Sequence, residues 1–139
     1  MDLPNSEGVL TFTGIMDPRY NTLADNLVRY SISLKKGERV LIDAFDVPED
    51  MVVALVRAVR AKKGIAHVNL HHARISRELL MGVTEEEVTY QAKTDLQRMK
   101  GMDAYIALRG AHNIFENSDV PSARMKLYMQ HMRPVQNWR

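Results

Sequence analysis

The chain has 139 residues, of which 45% are hydrophobic and 26% charged, ordinary values for a single globular domain. It has no cysteine, which excludes disulfide bonds, cysteine-ligated zinc and a cysteine nucleophile. The net charge of +2 without a basic block argues against nucleic acid, and the absence of a long apolar run and of a secretory leader predicts a cytoplasmic protein without membrane association.

The first 15 residues show no helical period, and we interpret residues 1–15 as an N-terminal arm. A leader or start-site extension is the alternative, because Met16 directly precedes the first helix signal. Asp17 and Pro18 give that signal, a capping residue followed by proline at the first helical position. The apolar spacing predicts a helix ending near residues 31–34, with a buried stripe of Tyr20, Leu23, Ala24, Leu27, Val28 and Ser31.

A β-α-β unit organises the rest of the chain. Residues 39–45 and 65–70 are short apolar runs that predict strands, and residues 51–61 between them have helical spacing. We predict that Gly64 caps this helix at its C-terminus. A crossover helix of this kind is what a parallel strand pair requires.

The second half continues the alternation. Thr84 opens a capping box that predicts a long helix, and Pro134 is expected to end the last one. The predicted elements are a short helix over 76–81, the long helix over 85–100, a strand over 104–108 and a helix over 120–132. Residues 16–139 are therefore predicted to form an α/β domain with a small, mainly parallel sheet and helices on both faces, a three-layer α/β/α fold.

Methionines at helical spacing mark one face of the last helix. Met125, Met129 and Met132 predict a packing surface, and we expect it to meet a second subunit. The expected assembly is a homodimer.

Ligands of open parallel sheets bind beyond the carboxyl ends of the strands, so candidate site residues are expected there. Four acids at or just after the carboxyl end of the first strand could hold Mg²⁺, as in phosphoacceptor domains. That site would need an acid after the third strand, where Arg109 and Gly110 stand instead. One or two helix-capping acids and a solvated turn are the simpler interpretation for this group, which comprises Asp43, Asp46, Glu49 and Asp50.

Histidines follow the second strand, and strand alternation places His67, Asn69 and His71 on one face. Three imidazoles can bind zinc. No acid is placed as a general base, however, so histidines facing solvent or an interface are the simpler interpretation of His67, His71, His72 and His112. Glycine-rich nucleotide loops and the G-x-S-x-G elbow are absent. The residues alone therefore assign no catalytic, cofactor-binding or metal-binding residue.

An ordered series of segments carries a family resemblance. A Val-Arg-Tyr-Ser segment ends the first helix, and a Lys-x-Gly-Glu-Arg-Val-Leu-Ile strand, a Leu-Val-Arg-Ala helix and a glycine-led strand follow. This series resembles the N-terminal domain of thermophilic metallo-aminopeptidases of the aminopeptidase T and leucyl aminopeptidase type. The resemblance covers residues 16–139 and rests on residues 28–31, 35–42, 55–58, 64–70, 103–106 and 133–135.

The resemblance implies a two-metal exopeptidase that removes N-terminal residues such as leucine from peptides. Its divalent ions (zinc, cobalt or magnesium) would activate a water, but their ligands lie in a C-terminal half that this chain lacks. We therefore expect no metal in this segment, peptide binding through the missing domain, and an inactive chain when alone. Because family members continue past Trp138, we also expect a fragment, made by design or by proteolysis. The alternative is a stand-alone α/β binding or interaction module without catalytic activity.

Overall fold

The computed structural model of the chain describes residues 17–110 and 120–138. The predicted N-terminal arm and His112 lie outside the described residues. The first helix, α1, runs over Pro18–Asn26 and widens into one π-helical turn, Leu27–Ser31. The elements that follow are β1 Arg39–Phe45, α2 Glu49–Ala61, β2 Ile65–His71, α3 Ala73–Met81, α4 Glu85–Lys100, β3 Ala104–Arg109 and α5 Ser122–Trp138.

The three strands form a parallel sheet in the order β2-β1-β3. β1 is central, and its residues 40–44 are all buried, as expected for a strand covered on both faces. In the register, Asp43 lies beside Asn69 of β2 and beside Ala107 of β3. Odd-numbered residues of all three strands therefore share one face of the sheet.

Two apolar clusters cover the two faces. The even-numbered face, with Val40 and Ile42, packs against Ala24 of α1 and against Leu55 and Val59 of α2. The odd-numbered face packs against α4 and α5 through a cluster of Leu41, Met99, Met132 and Val135. The predicted three-layer α/β/α fold is confirmed, with helices on both sides of the sheet.

Most predicted elements are confirmed, including all three strands and the capping box. The Thr84 hydroxyl accepts a hydrogen bond from the Glu87 N–H, and the Thr84 N–H donates to Glu87 Oε1 at 2.9 Å. The helix predicted over 76–81 begins three residues earlier, at Ala73, because the Asp46 carboxylate accepts a hydrogen bond from the Ala73 N–H. The stripe predicted for α1 is wrong at Leu23, which is 48% exposed, and at Ser31, which is also exposed.

The predicted end of the last helix is wrong. Pro134 lies inside α5, which continues to Trp138. An interior proline removes one hydrogen bond and crowds the preceding turn, at a cost of about 3 kcal/mol. Val135, the next residue, is fully buried against Met99 and Leu41, and this packing holds the helix beyond the proline. Met132, predicted to meet another subunit, is buried within the chain instead.

The end of α2 also differs from the prediction. Lys63, not Gly64, adopts the left-handed conformation, with φ of 62°. The Gly64 N–H donates to the Val59 carbonyl at 3.0 Å and the Lys63 N–H to the Arg60 carbonyl at 2.9 Å, the pattern of a Schellman cap. A Cβ at position 64 would lie 2.5 Å from the Leu34 side chain and 3.2 Å from the Glu38 carbonyl oxygen, so the Leu34 side chain would have to shift.

Across residues 17–110 and 120–138, none of the helices has the length and apolar character needed to cross a membrane.

Candidate functional site

A buried carboxylate lies near the carboxyl edge of the central strand. Asp43 is fully buried and is the one buried charged residue within the described part of the chain. Its Oδ2 accepts a hydrogen bond from the Tyr105 hydroxyl at 2.6 Å, and its Oδ1 accepts one from Asn69 Nδ2 at 3.1 Å. His71 Nε2 lies 3.2 Å from the same Oδ1. A buried charge needs such a set of hydrogen bonds to offset its lost hydration.

The network extends to α4 through Asn69. The Arg98 guanidinium donates to the Asn69 side-chain oxygen while the amide nitrogen of Asn69 donates to Asp43. Asn69 therefore holds a cation and a carboxylate in fixed positions on one sheet face. The amide orientation follows from these two contacts, because only the oxygen can accept from a guanidinium.

A stack of three side chains crosses the ends of the strands. The Phe45 ring lies parallel to the His71 ring, with centroids 4.4 Å apart and an interplanar angle of 9°. The Arg109 guanidinium lies 4.3 Å from the Phe45 ring centroid, which is cation–π distance. The register explains the row, because Phe45 pairs with His71 on one side and with Arg109 on the other.

The turn after β1 is held by both neighbouring strands. The Asp46 N–H donates to the His71 carbonyl at 3.0 Å, and the Gly110 N–H donates to the Phe45 carbonyl at 2.7 Å. Asp46 has a φ of 54°, a left-handed conformation that costs energy for a residue with a Cβ and that aspartate tolerates better than most. Its Oδ2 accepts from the Ala73 N–H at 2.9 Å and so caps α3.

This edge is the topological switch point of the sheet. The connection from β1 to β2 runs through α2 on one face, and the connection from β2 to β3 runs through α3 and α4 toward the other. The helix that follows β1 thus covers one face, and the helix that follows β3 along the chain, α5, covers the other. Open α/β sheets bind ligands in the crevice at such a point. Gly110 lets the two strand ends approach, because a Cβ there would lie 2.2 Å from the Asp46 carbonyl oxygen.

A cavity of about 720 Å³ opens over this edge. Its polar wall is formed by Asp43, Asp46, Asn69, His71, Gln91, Asp95, Arg98, Arg109 and Gln136. Its apolar wall is formed by residues of α3 and α5 and by the segment after α3: Leu79, Leu80, Val83, Tyr128 and Met132. A volume of this size with a mixed lining is typical of small-molecule sites.

The structure separates the four acids considered for Mg²⁺. Asp43 is enclosed in its hydrogen-bond network, Asp46 caps α3, and Glu49 and Asp50 form the exposed first turn of α2. Three of the four thus lie at helix N-termini, where the simpler sequence interpretation placed one or two. Within residues 17–110 and 120–138 there is no group of three His, Asp or Glu side chains arranged to hold a metal ion.

The histidines are likewise divided among different surroundings. His71 contacts Asp43, and His72 Nδ1 lies 3.7 Å from Asp46 Oδ1. His67 lies toward the opposite end of β2, in a second hollow with Arg39 and Ile65. The zinc interpretation placed these three side chains together, and the described residues do not bring them to one point.

Four residues of the site were not identified from the sequence as site residues: Asn69, Arg98, Tyr105 and Arg109. A signal for Asn69 and Tyr105 existed, because a charged Asp43 within an otherwise apolar strand requires polar neighbours on adjacent strands. The register that selects those neighbours depends on how the strands pair, which a single sequence does not specify.

Comparison with known proteins gives one informative result. No protein-family model matches the chain. No curated protein matches it either. Among solved structures, the chain is similar to wild-type AmpT (aminopeptidase T) from Thermus thermophilus, with a TM-score of 0.70 and 18% identity. The match covers 87% of this chain and 32% of that one, so the chain spans about a third of the length of AmpT. At this identity the likeness shows a shared fold.

Proposed function

We propose that this chain is an N-terminal α/β domain of a metal-dependent aminopeptidase that removes residues such as leucine from peptides. The observation that supports the proposal most is the fold shared with AmpT over 87% of the chain. The ordered series of sequence segments that resembles the aminopeptidase family supports the same class of protein. In this proposal the domain shapes the substrate cleft and contributes to subunit assembly.

The metal ions of such an enzyme are assigned by this proposal to a part of the protein outside this chain. The described residues do not fit a two-metal site: Asp43 and Asp46 are engaged with donors of the chain, and no third ligand accompanies them. We therefore derive no catalytic step through a metal from these residues. The purified 139-residue chain is predicted to have no peptidase activity.

The first experiment measures the intact mass of the protein in its source cells. Because this chain matches 32% of AmpT, a natural protein about three times larger than 15.9 kDa is expected. The larger species is then assayed for release of leucine from leucine-p-nitroanilide, with and without a chelator and with zinc, cobalt or magnesium restored. Metal-dependent release by the long species, and none by the 139-residue chain, is the expected result.

Two results would contradict the proposal. Metal-dependent leucine release by the 139-residue chain alone would show that the catalytic residues lie within it. A natural mass of 15.9 kDa, or a longer protein without aminopeptidase activity, would remove the enzyme assignment. Light scattering of the longer protein tests the expected homodimer, which predicts twice the monomer mass.

The second candidate is a stand-alone α/β binding module, and the cavity at the switch point favours it. A built pocket needs no missing domain to bind a small molecule. In this case the natural protein has the mass of this chain and binds its ligand without turnover.

A further inference from the structure

We propose that the cavity at the carboxyl edge of the sheet binds a small molecule that carries a carboxylate or phosphate group on an apolar body. The inference rests on the geometry of the described residues and is independent of the aminopeptidase proposal. In this proposal the ligand's anionic group accepts hydrogen bonds from Arg98, Arg109 or both, and its apolar part lies against α3.

Two arginines at the cavity wall, Arg98 and Arg109, retain hydrogen-bond donors for a ligand. Arg98 makes one hydrogen bond, to the neutral Asn69 amide, and Arg109 stacks on the Phe45 ring. Within the described part of the chain, neither guanidinium contacts a carboxylate. Each guanidinium has five N–H donors in a planar fork that matches a carboxylate or a phosphate.

The acids of the cavity are already engaged, so they do not define a cation site. Asp43 accepts from Tyr105 and Asn69, and Asp46 caps α3. The third acid, Asp95, also has a bonding partner. The groups that remain for a ligand are therefore mainly the donors of the two arginines. An anionic acceptor satisfies these donors better than a neutral one.

Both arginines are held in place by neighbouring side chains. Asn69 orients Arg98 and is itself fixed by the buried Asp43 carboxylate. Phe45 holds Arg109 from one side and is supported from the other by His71. A preorganised donor loses less side-chain entropy on binding than a mobile surface arginine.

The cavity also has an apolar wall. Leu79 of α3 lines the cavity and is 71% exposed. With Leu80 and Val83 it gives the cavity an apolar side opposite its polar groups, the mixed lining that small-molecule sites have. A ligand with both an anionic group and an apolar body contacts both walls at once.

The test is a ¹H–¹⁵N NMR titration of the 139-residue chain with three probes that share a phenyl body. Phenylacetate carries a carboxylate, phenyl phosphate carries a phosphate, and phenylacetamide is the neutral control. We expect saturable shifts at the Asn69 side-chain amide and at the Arg98 Nε–H with one or both anions. Phenylacetamide is expected to bind about tenfold more weakly or less, because a charged hydrogen bond is lost. Binding of one anion alone identifies the head group that the cavity prefers.

Matched variants locate the binding site. Arg98→Gln and Arg109→Gln are each expected to weaken binding of the anion about tenfold, while Arg57→Gln, on the exposed side of α2, leaves it unchanged. If Arg98→Gln loosens the fold through Asn69, Arg109→Gln still tests the proposal, because Arg109 is exposed at the strand end. Equal binding of all three probes, or shifts that never saturate, would overturn the anion site. So would anion binding that survives both arginine substitutions.

Discussion

Gly110 offers the most direct test of how the switch point is built. In Gly110→Ala, the new methyl group would lie 2.2 Å from the Asp46 carbonyl oxygen and 3.2 Å from the Phe45 carbonyl oxygen. Both are backbone atoms, so no side-chain rotation relieves the contact. The strand ends must separate, which strains the 2.7 Å hydrogen bond from the Gly110 N–H to the Phe45 carbonyl. Overpacking costs about 1–3 kcal/mol, and loss of the hydrogen bond about 1 kcal/mol.

We therefore expect Gly110→Ala to lower the free energy of unfolding by about 2–4 kcal/mol, measured by urea titration with circular dichroism. Gly82→Ala is the matched control, because nothing lies within 4 Å of a Cβ at that position. Its φ of −125° suits alanine, so the control should be neutral or stabilising by up to about 1 kcal/mol. If the two variants unfold at the same urea concentration, the close approach of Gly110 to Asp46 is wrong.

Three further substitutions test other parts of the structure. Tyr105→Phe removes a hydrogen bond to the buried Asp43 carboxylate and should destabilise the fold by about 1.5–3 kcal/mol in the same titration; an unchanged midpoint would contradict the bond. Pro134→Ala restores a donor inside α5 and should stabilise by about 1–3 kcal/mol; a loss of stability would assign the proline a role that the helix geometry does not show. The side-chain hydrogen bond from Arg19 lowers the pKa of Asp17. The ionised Asp17 carboxylate therefore stabilises α1 at pH values above the ordinary pKa of 3.8, and this stabilisation is lost as pH falls through the lowered pKa. The amide chemical shift of Arg19, whose N–H donates to Asp17, is expected to change as Asp17 is protonated at low pH, and Asp17→Asn should abolish that change. A pH-dependent shift that persists in the variant would assign the titration to another group.

The layered fold was predictable because its signals are local. Apolar runs with β-branched residues marked the strands, and the capping box of Thr84 marked the start of α4. The errors arose where tertiary packing overrode a local rule. Pro134 should end a helix, but the burial of Val135 carries α5 through it. Gly64 was predicted to cap α2, but it is Lys63 that adopts the left-handed conformation. Gly64 follows it and lies so close to Leu34 that a Cβ there would be 2.5 Å from the leucine side chain.

The candidate site was only partly predictable, because its contacts cross between strands. Strand alternation placed Asn69 and His71 on one face of β2, and the structure confirms that shared face. It did not indicate that Asp43 would be the residue beside Asn69, since this depends on the pairing of β1 with β2. Tyr105 pairs with Leu41, which lies two residues before Asp43 on the same face, and its hydroxyl reaches Asp43 only through the length of its ring.

The polar cluster is costly in a place where apolar residues would serve the fold. The same sheet face is covered by an apolar cluster that includes Leu41 and Met132. Burying Asp43 beside it costs hydration energy that its hydrogen bonds at best offset, and replacing buried charges by apolar residues is often neutral or stabilising. Removing one member leaves a buried charge with a lost hydrogen bond, which is why Tyr105→Phe should destabilise. What the complete cluster adds is position, because it fixes Asn69 and, through it, Arg98 at the cavity wall. Replacing Asp43 and Asn69 together by leucine should therefore weaken anion binding clearly, while it changes the free energy of unfolding little.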